Sequence, residues 1–182
     1  MRKFLIVLGI VLVVILGVLT YFRFYYTKSF SPENEVKYEQ GDLKISVVYN
    51  RPSKKGRVIF GELVPYGIVW RTGANEATTF QTNKDLKFDD KILKAGKYSL
   101  FTIPNQEKWT VIFNAESGQW GVGFNGEANR DPAKDVITVE APSVTMNKEV
   151  EQFTIEIENM GGEHELTFIW DKTVVAVPFS IK

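Results

Sequence analysis

From Arg51 to Thr79 the chain reads RPSKKGRVIFGELVPYGIVWRTGANEATT, and its side chains are the ones best equipped for recognition. Beyond Phe30 the chain uses Lys fourteen times and Arg four times, yet Arg51, Arg57 and Arg71 all fall in this one segment. A guanidinium offers a planar fork that grips carboxylates bidentately and stacks on rings, which an ammonium cannot do. Trp70-Arg71-Thr72-Gly73-Ala74-Asn75-Glu76 therefore puts a stacking surface, a fork, an amide and a carboxylate into one bend. Two readings stand side by side: a site for a polar ligand or sugar, or a buried Arg–Glu pair pinning a long irregular loop. On the bracing reading, Arg71→Ala costs more stability than Arg130→Ala. Trp70 and Trp120 stand beside Gly-rich bends, where a ring can face a sugar or a partner, although rings are equally the large fillers of a β core. The candidate ligand-binding residues are Arg51, Arg57, Trp70, Arg71, Asn75, Glu76 and Trp120.

Other chemistries find less. Glu62 and Glu76 flank the arginines and are the best pair for a carboxylate-based hydrolase of the glycosidase kind. The single histidine, His164, sits between Glu163 and Glu165. On a strand those neighbours face away from it, so the three cannot converge on a metal, and His164 reads as an ordinary surface residue. Without cysteine or a G-x-S-x-G elbow, thiol and hydrolase-serine nucleophiles lack support. Asn125 to Asp131 places oxygens at alternate positions, but an embedded Arg130 and the missing distant Glu make it a polar turn rather than a calcium loop. The reading leans away from an enzyme and implies no cofactor.

The elements that position these residues follow a period of two. Leu43, Ile45, Val47 and Tyr49 alternate with more polar neighbours, as do Trp109, Val111 and Phe113. Phe153, Ile155 and Ile157, then Leu166, Phe168 and Trp170, and finally Val175, Val177, Phe179 and Ile181 repeat the pattern. Such alternation predicts strands with one face on a core, and it places Trp109 and Trp170 inside. Turn chemistry at Lys55-Gly56, Ala95-Gly96, Asn125-Gly126, Asp131-Pro132 and Gly161-Gly162 divides the runs into about ten strands. The expected fold is an all-β antiparallel sandwich or jelly roll over residues 42–182, preceded by a polar linker at 31–41. Pro178 cannot donate a ladder bond, so the last strand is expected to be an edge or to carry a bulge there.

The first thirty residues differ. Phe4 to Phe22 carries no charge, and 15 of those 19 positions are Phe, Leu, Ile or Val. As a helix this run spans roughly 28 Å, near the hydrocarbon thickness of a bilayer. Bulky residues from Tyr21 to Tyr26 occupy the place where a signal peptidase needs small ones, and they suit the interfacial belt of a retained helix. Residues 1–30 are therefore expected to be a single-pass signal anchor in the inner (cytoplasmic) membrane. Arg2 and Lys3 against Arg23 and Lys28 narrowly favour a domain on the periplasmic side. Setting those four cations aside leaves 18 basic against 22 acidic residues, which argues against nucleic acid as a partner.

Arg51-Pro52, Gly56-Arg57 through Phe60-Gly61, Val64-Pro65-Tyr66-Gly67 and Val69 to Glu76 resemble the signature of a bacterial family, the domain of unknown function DUF2911. Ala95 to Pro104, Trp109 to Asn114 and Gln119-Trp120-Gly121 continue it in order, so the likeness covers nearly everything from Leu43 onward. The resemblance implies a secreted or membrane-attached protein and carries over no activity and no catalytic residue. A retained helix departs from members with cleavable signals. The leading expectation is a non-catalytic envelope module binding a small polar ligand, a saccharide or an envelope protein. An envelope-polysaccharide hydrolase and a purely structural protein are the alternatives.

Overall fold

The computed structural model describes all 182 residues. Its N-terminal part is one helical rod: α1 (Arg2–Tyr21), a π turn (Phe22–Tyr26) and a last α turn, α2 (Thr27–Phe30). No residue of α1 is buried, and the rod is long and apolar enough to cross a membrane. The π turn coincides with the aromatic run. Tyr21 stacks on Tyr25 (centroids 5.4 Å), and Phe22 and Phe30 both meet Tyr26 edge-on at 5.0 and 5.1 Å. Rings at this spacing make a sleeve of the kind that sits at a membrane–water interface.

Only Ser31 and Pro32 separate the rod from the first strand, and this joint is held. Arg51 donates its backbone N–H to the Pro32 carbonyl (2.8 Å), and the Asn75 amide reaches the Ser31 carbonyl (3.4 Å). Lys28 pairs with Glu33 at 2.5 Å and with Glu76 at 3.7 Å, while the Lys55 ammonium lies 5.3 Å from the Phe30 ring centroid.

The remainder is antiparallel β-structure, as alternation predicts. Nine strands form one hydrogen-bonded order β1-β2-β3-β6-β7-β8-β9-β4-β5. They are β1 (Glu33–Gln40), β2 (Leu43–Asn50), β3 (Thr78–Thr82), β4 (Leu86–Phe88), β5 (Lys91–Leu93), β6 (Gly96–Ile103), β7 (Lys108–Asn114), β8 (Asp135–Met160) and β9 (Glu163–Ile181). Length explains how one order encloses a core. The start of β8, Asp135 to Pro142, pairs with β7, and from Ser143 onward it pairs with β9, with register shifts between Thr145 and Thr154. Gly161 (φ 69°) and Gly162 (φ 114°) make the two-residue turn between them, where both positions need the left-handed region. Pro178 falls between the β8 pairing of β9, which ends at Val175, and its β4 pairing, which starts at Ser180, so no ladder bond is asked of it.

Inward side chains from β2 to β9, with Ile59, Val64 and Trp70 from the segment between β2 and β3, meet in one cluster of 28 buried residues, and Val36 and Tyr38 of β1 pack against it. At its centre Trp70 and Trp170 stack (5.9 Å, 17°), Trp70 meets Phe153 at 4.9 Å and Phe60 meets Trp109 at 4.9 Å. Trp109 and Trp170 are inside, as alternation predicts. Phe101, Ile112 and Ala77 form a second, small cluster on the opposite face of β6 and β7, which is therefore covered on both sides.

Two sequence expectations need correction. Glu33–Gln40, read as linker, is edge strand β1, fully registered against β2 from Glu33↔Asn50 to Gln40↔Leu43. An edge strand needs few apolar side chains, and here Val36 and Tyr38 alone reach the core, so its composition imitates a linker. His164 is not at the surface: it is 5% exposed, stacked on Phe179 (5.1 Å, 24°), with Nδ1 2.8 Å from the Tyr38 hydroxyl. The strand runs as expected, with Glu163 exposed, but the polar residue is the one turned inward.

Burial pushes the His164 pKa below its ordinary value. Above about pH 6.5 the imidazole is neutral in both the folded and unfolded chains, and its contribution is complete. As the pH falls below that value the unfolded chain takes up the proton first, so stability drains until the folded imidazole protonates at its lower pKa. The thermal midpoint is expected to fall from about pH 7.5 to about pH 5.5, and His164→Gln, which does not titrate, should flatten that slope. Tryptophan fluorescence melts across this range check it.

Candidate functional site

The excursion from Arg51 to Ala77 connects β2 to β3 and is stitched to the sheet at several points. Lys54 N–H donates to the Glu151 carbonyl (2.7 Å), Phe153 N–H to that of Pro52 (3.0 Å) and Gly67 N–H to that of Pro104 (2.9 Å). Trp70 and Thr102 exchange both backbone bonds, at 2.7 and 2.9 Å, so Trp70 behaves as an extra strand residue beside β6. Its indole enters the core and donates Nε1–H to the Gly73 carbonyl (3.0 Å). The chain then turns sharply. Thr72 (φ 57°) and Asn75 (φ 56°) adopt left-handed conformations that a β-branched residue in particular avoids. Thr72 is fully buried, and Thr78 Oγ1 donates to its carbonyl at 2.6 Å, which holds the strained residue in place. At Gly73 a Cβ would stand 2.9 Å from the Asn50 carbonyl oxygen, so the turn closes only with glycine.

The seven candidate residues do not form one cluster. Arg51 donates Nε–H to the Phe153 carbonyl (3.1 Å) and Nη2 to Thr154 Oγ1 (2.8 Å), fastening the excursion to β8. Asn75 Nδ2 reaches Asn50 Oδ1 (3.3 Å), and Glu76 Oε2 accepts from Asn50 Nδ2 (3.2 Å) while Oε1 faces Lys28. Those three are satisfied by the protein itself. Trp120 bridges backbone to backbone with Glu76, and its ring lies 5.2 Å from the Arg23 guanidinium, against the rod. Arg57, Trp70 and Arg71 do come together, around a cavity of about 370 Å³.

Lys55, Arg57 and Arg71 line that cavity with the Ser53 side chain and the rings of Trp70 and Trp170, and no aspartate or glutamate does. Arg57 spends Nε–H on the Lys54 carbonyl (2.9 Å) and Nη2 on that of Ser53 (2.6 Å), which leaves part of its fork free. Arg71 is different. Its Nε is buried without a hydrogen-bond partner, and it joins none of the chain's ion pairs. Burial alone pulls its pKa below the usual guanidinium range, yet an arginine stays charged near neutrality. Its stem runs beneath Gly121, and it also lines a second cleft of about 240 Å³, with Leu63, Ile68, Val122 and Glu127 among the walls. Glu62 and Glu76 line neither space.

Arg130 shows what a satisfied arginine looks like here. It forks onto Asp135, with Nε 3.0 Å from Oδ1, and Asn114 Nδ2 donates to the same oxygen at 2.8 Å. Burial pushes the Asp135 carboxyl up, but the bonds from Arg130 and Asn114 outweigh it and hold the group below its usual range. The oxygens of the Asn125–Asp131 turn are used locally, with Asn125 Nδ2 on Glu127 (2.7 Å) and Asp131 Oδ1 accepting from Ala133 N–H (3.0 Å).

Sequence reasoning passed over Lys55, Ser53 and Trp170 as cavity residues. Lys55 was legible as a turn residue and Trp170 as core, and neither signal reveals a void above a ring edge. Gly121 was visible inside the Trp120-Gly121 pair. A Cβ there would meet the Arg71 stem and stand 2.8 Å from the Asn75 carbonyl oxygen.

Comparison with known proteins adds a family. Residues 31–179 match the family described as a protein of unknown function, DUF2911. No curated protein and no solved structure matches the chain.

Two outcomes follow from the geometry. Gly121→Ala must displace backbone or the Arg71 stem, and is expected to cost about 1–3 kcal/mol, read as a lower thermal midpoint. The geometry sets the two arginines apart. Arg130→Ala strands a half-buried carboxylate and should destabilise by about 1–3 kcal/mol, whereas Arg71→Met removes an unpaired, part-buried charge while keeping an apolar stem, and should be neutral or stabilising. Parallel melts of both variants decide it.

Proposed function

The chain belongs to the DUF2911 family, and on that premise we propose that it is a membrane-anchored, non-catalytic binding module whose cavity takes a small anionic ligand beside Arg71. The single observation that carries this reading is Arg71, part-buried with its Nε enclosed and unpartnered and in no ion pair, on a cavity that Lys55 and Arg57 also line and no carboxylate does. Drawing an unpaired charge partly out of water is costly even when some of it stays hydrated. A ligand carboxylate, phosphate or sulfate would repay that cost, because hydrogen bonds to charged groups are worth about 1.5–3 kcal/mol each. The indole walls add apolar faces against which a sugar ring or similar flat body can lie. A volume of about 370 Å³ is at the small end for ligand pockets, which suits a single acidic saccharide unit or a comparable metabolite. Arg51, Asn75, Glu76 and Asn50 brace the loop that carries Arg71, so recognition and bracing are divided among the candidates instead of shared.

The rod supplies the anchor, with the N-terminus in the cytoplasm, the helix in the inner membrane and the domain on its outer side. The aromatic sleeve favours a helix that stays attached.

The test is a ligand-dependent melt of the full chain in neutral detergent with glucuronate, phosphate, sulfate and, as the uncharged control, glucose. An anion at about 100 times its dissociation constant stabilises by about 2.7 kcal/mol, which raises the midpoint by about 5–10 °C for a chain of this size. Arg71→Gln should fold and lose that response. Binding through Arg71 is overturned if no anion raises the midpoint, if glucose does so equally, or if Arg71→Gln responds as the parent does.

A further inference from the structure

The segment from Trp120 to Phe124 faces the membrane rod, and its composition is out of place on a water-soluble surface. Phe124 is fully exposed, the most exposed large apolar side chain of the chain, and it stands at the tip of a loop with Trp120 and Val122. Across from them are Leu19, Phe22, Arg23 and Thr27, and between the two walls lies an open slot of about 790 Å³. The loop is built to hold this position. Gly121 N–H donates to the Asn75 carbonyl (2.9 Å), Ala77 N–H to that of Gln119 (3.2 Å), and Gly123 N–H closes the tip onto the Glu127 carbonyl (2.9 Å). The Arg23 guanidinium over the Trp120 ring ties it to the rod.

Depth along the rod says what fills the slot. The uncharged run from Phe4 to Phe22 is centred on Val13, so at 1.5 Å per residue Leu19 lies about 9 Å and Phe22 about 14 Å from the bilayer midplane. The hydrocarbon half-thickness is about 15 Å. Side chains level with Leu19 and Phe22 are therefore at the upper acyl carbons, and Arg23 is at the phosphates. Leu63 and Ile68, both exposed, continue the apolar wall next to Val122. Glu127, at the base of the loop, limits how far it can sink.

We propose that Trp120–Phe124 is a second membrane contact, an interfacial loop seated in the headgroup–acyl boundary of the leaflet from which the rod emerges, with acyl chains occupying the slot. This rests on the anchored reading of the rod. Exposed apolar area of this kind is stabilised when lipid replaces water around it.

The chain contains no cysteine, so single labelling sites can be introduced cleanly. The experiment spin-labels Phe124→Cys, Val13→Cys and Val144→Cys in the full chain reconstituted into phosphatidylcholine–phosphatidylglycerol vesicles. Power saturation is then read with oxygen, which partitions into lipid, and with a water-soluble nickel chelate. Val13 reports the rod and Val144, exposed on β8, reports water. The expected result is that the label at 124 is several-fold less accessible to nickel than the label at 144 and more accessible to oxygen, at a shallower depth than the label at 13. If 13 is deep while 124 matches 144, the loop contact is wrong and the anchor stands. If 13 is itself aqueous, the anchor fails and the loop contact with it. A label at 124 shielded from both reagents overturns the lipid contact in favour of a second copy or another protein.

Discussion

Two backbone hydrogen bonds between Trp70 and Thr102 decide most of what surrounds the cavity. They attach the long β2–β3 excursion to β6 at one residue and send the indole of that residue into the aromatic centre of the core. Removing such a buried ring costs about 3–5 kcal/mol, so the attachment is not one the chain can give up. With Trp70 committed inward, its successor must leave in another direction, and Thr72, locked in a left-handed conformation beneath Thr78, prevents the backbone from rotating to release it. Arg71 is therefore held where it is by its neighbours on both sides. Its stem is caught under Gly121, and its head stops short of any carboxylate.

That placement sets two arginines of one small domain in contrast. Arg130 is paired with Asp135 through Nε and Nη2, and the bonds it makes are of the sort a protein keeps for its own stability. Arg71 has none, in a site where a methionine of similar volume would satisfy the packing. Groups that weaken the resting fold without compensation inside it are concentrated where a protein meets something else. The carboxylates nearest in sequence, Glu62 and Glu76, do not help: the first is exposed, and the second is engaged by Asn50 and Lys28.

The sequence made some of this legible and hid the rest for identifiable reasons. The rod and the inward strands were plain, because a charge-free run and a period of two are properties of consecutive residues. Strand β1 was hidden because an edge exposed on most of its surface needs only Val36 and Tyr38 to hold its register. His164 was misplaced because composition treats histidine as polar, whereas an imidazole stacked on Phe179 and bonded to Tyr38 packs as a ring. The arginine-rich segment was recognisable, but not its division: whether Arg51 or Arg71 would find a carbonyl depends on β8, a hundred residues away. Trp70 shows the same limit. It belongs both to the core and to the cavity wall, and no local pattern separates the two roles.

The joint at Ser31 and Pro32 has a consequence for reach. A domain hung from a long flexible linker would sweep a hemisphere above the lipid. Here two residues, clamped by Arg51, Asn75 and Lys28, make a post with almost no slack. For the anchored protein proposed above, the cavity is carried at constant height, with Phe30 at the end of the rod in its lining and the bilayer therefore close by. Such a domain patrols a plane: it meets what moves along or accumulates at the membrane surface, and whatever floats free a few nanometres higher must come down to it.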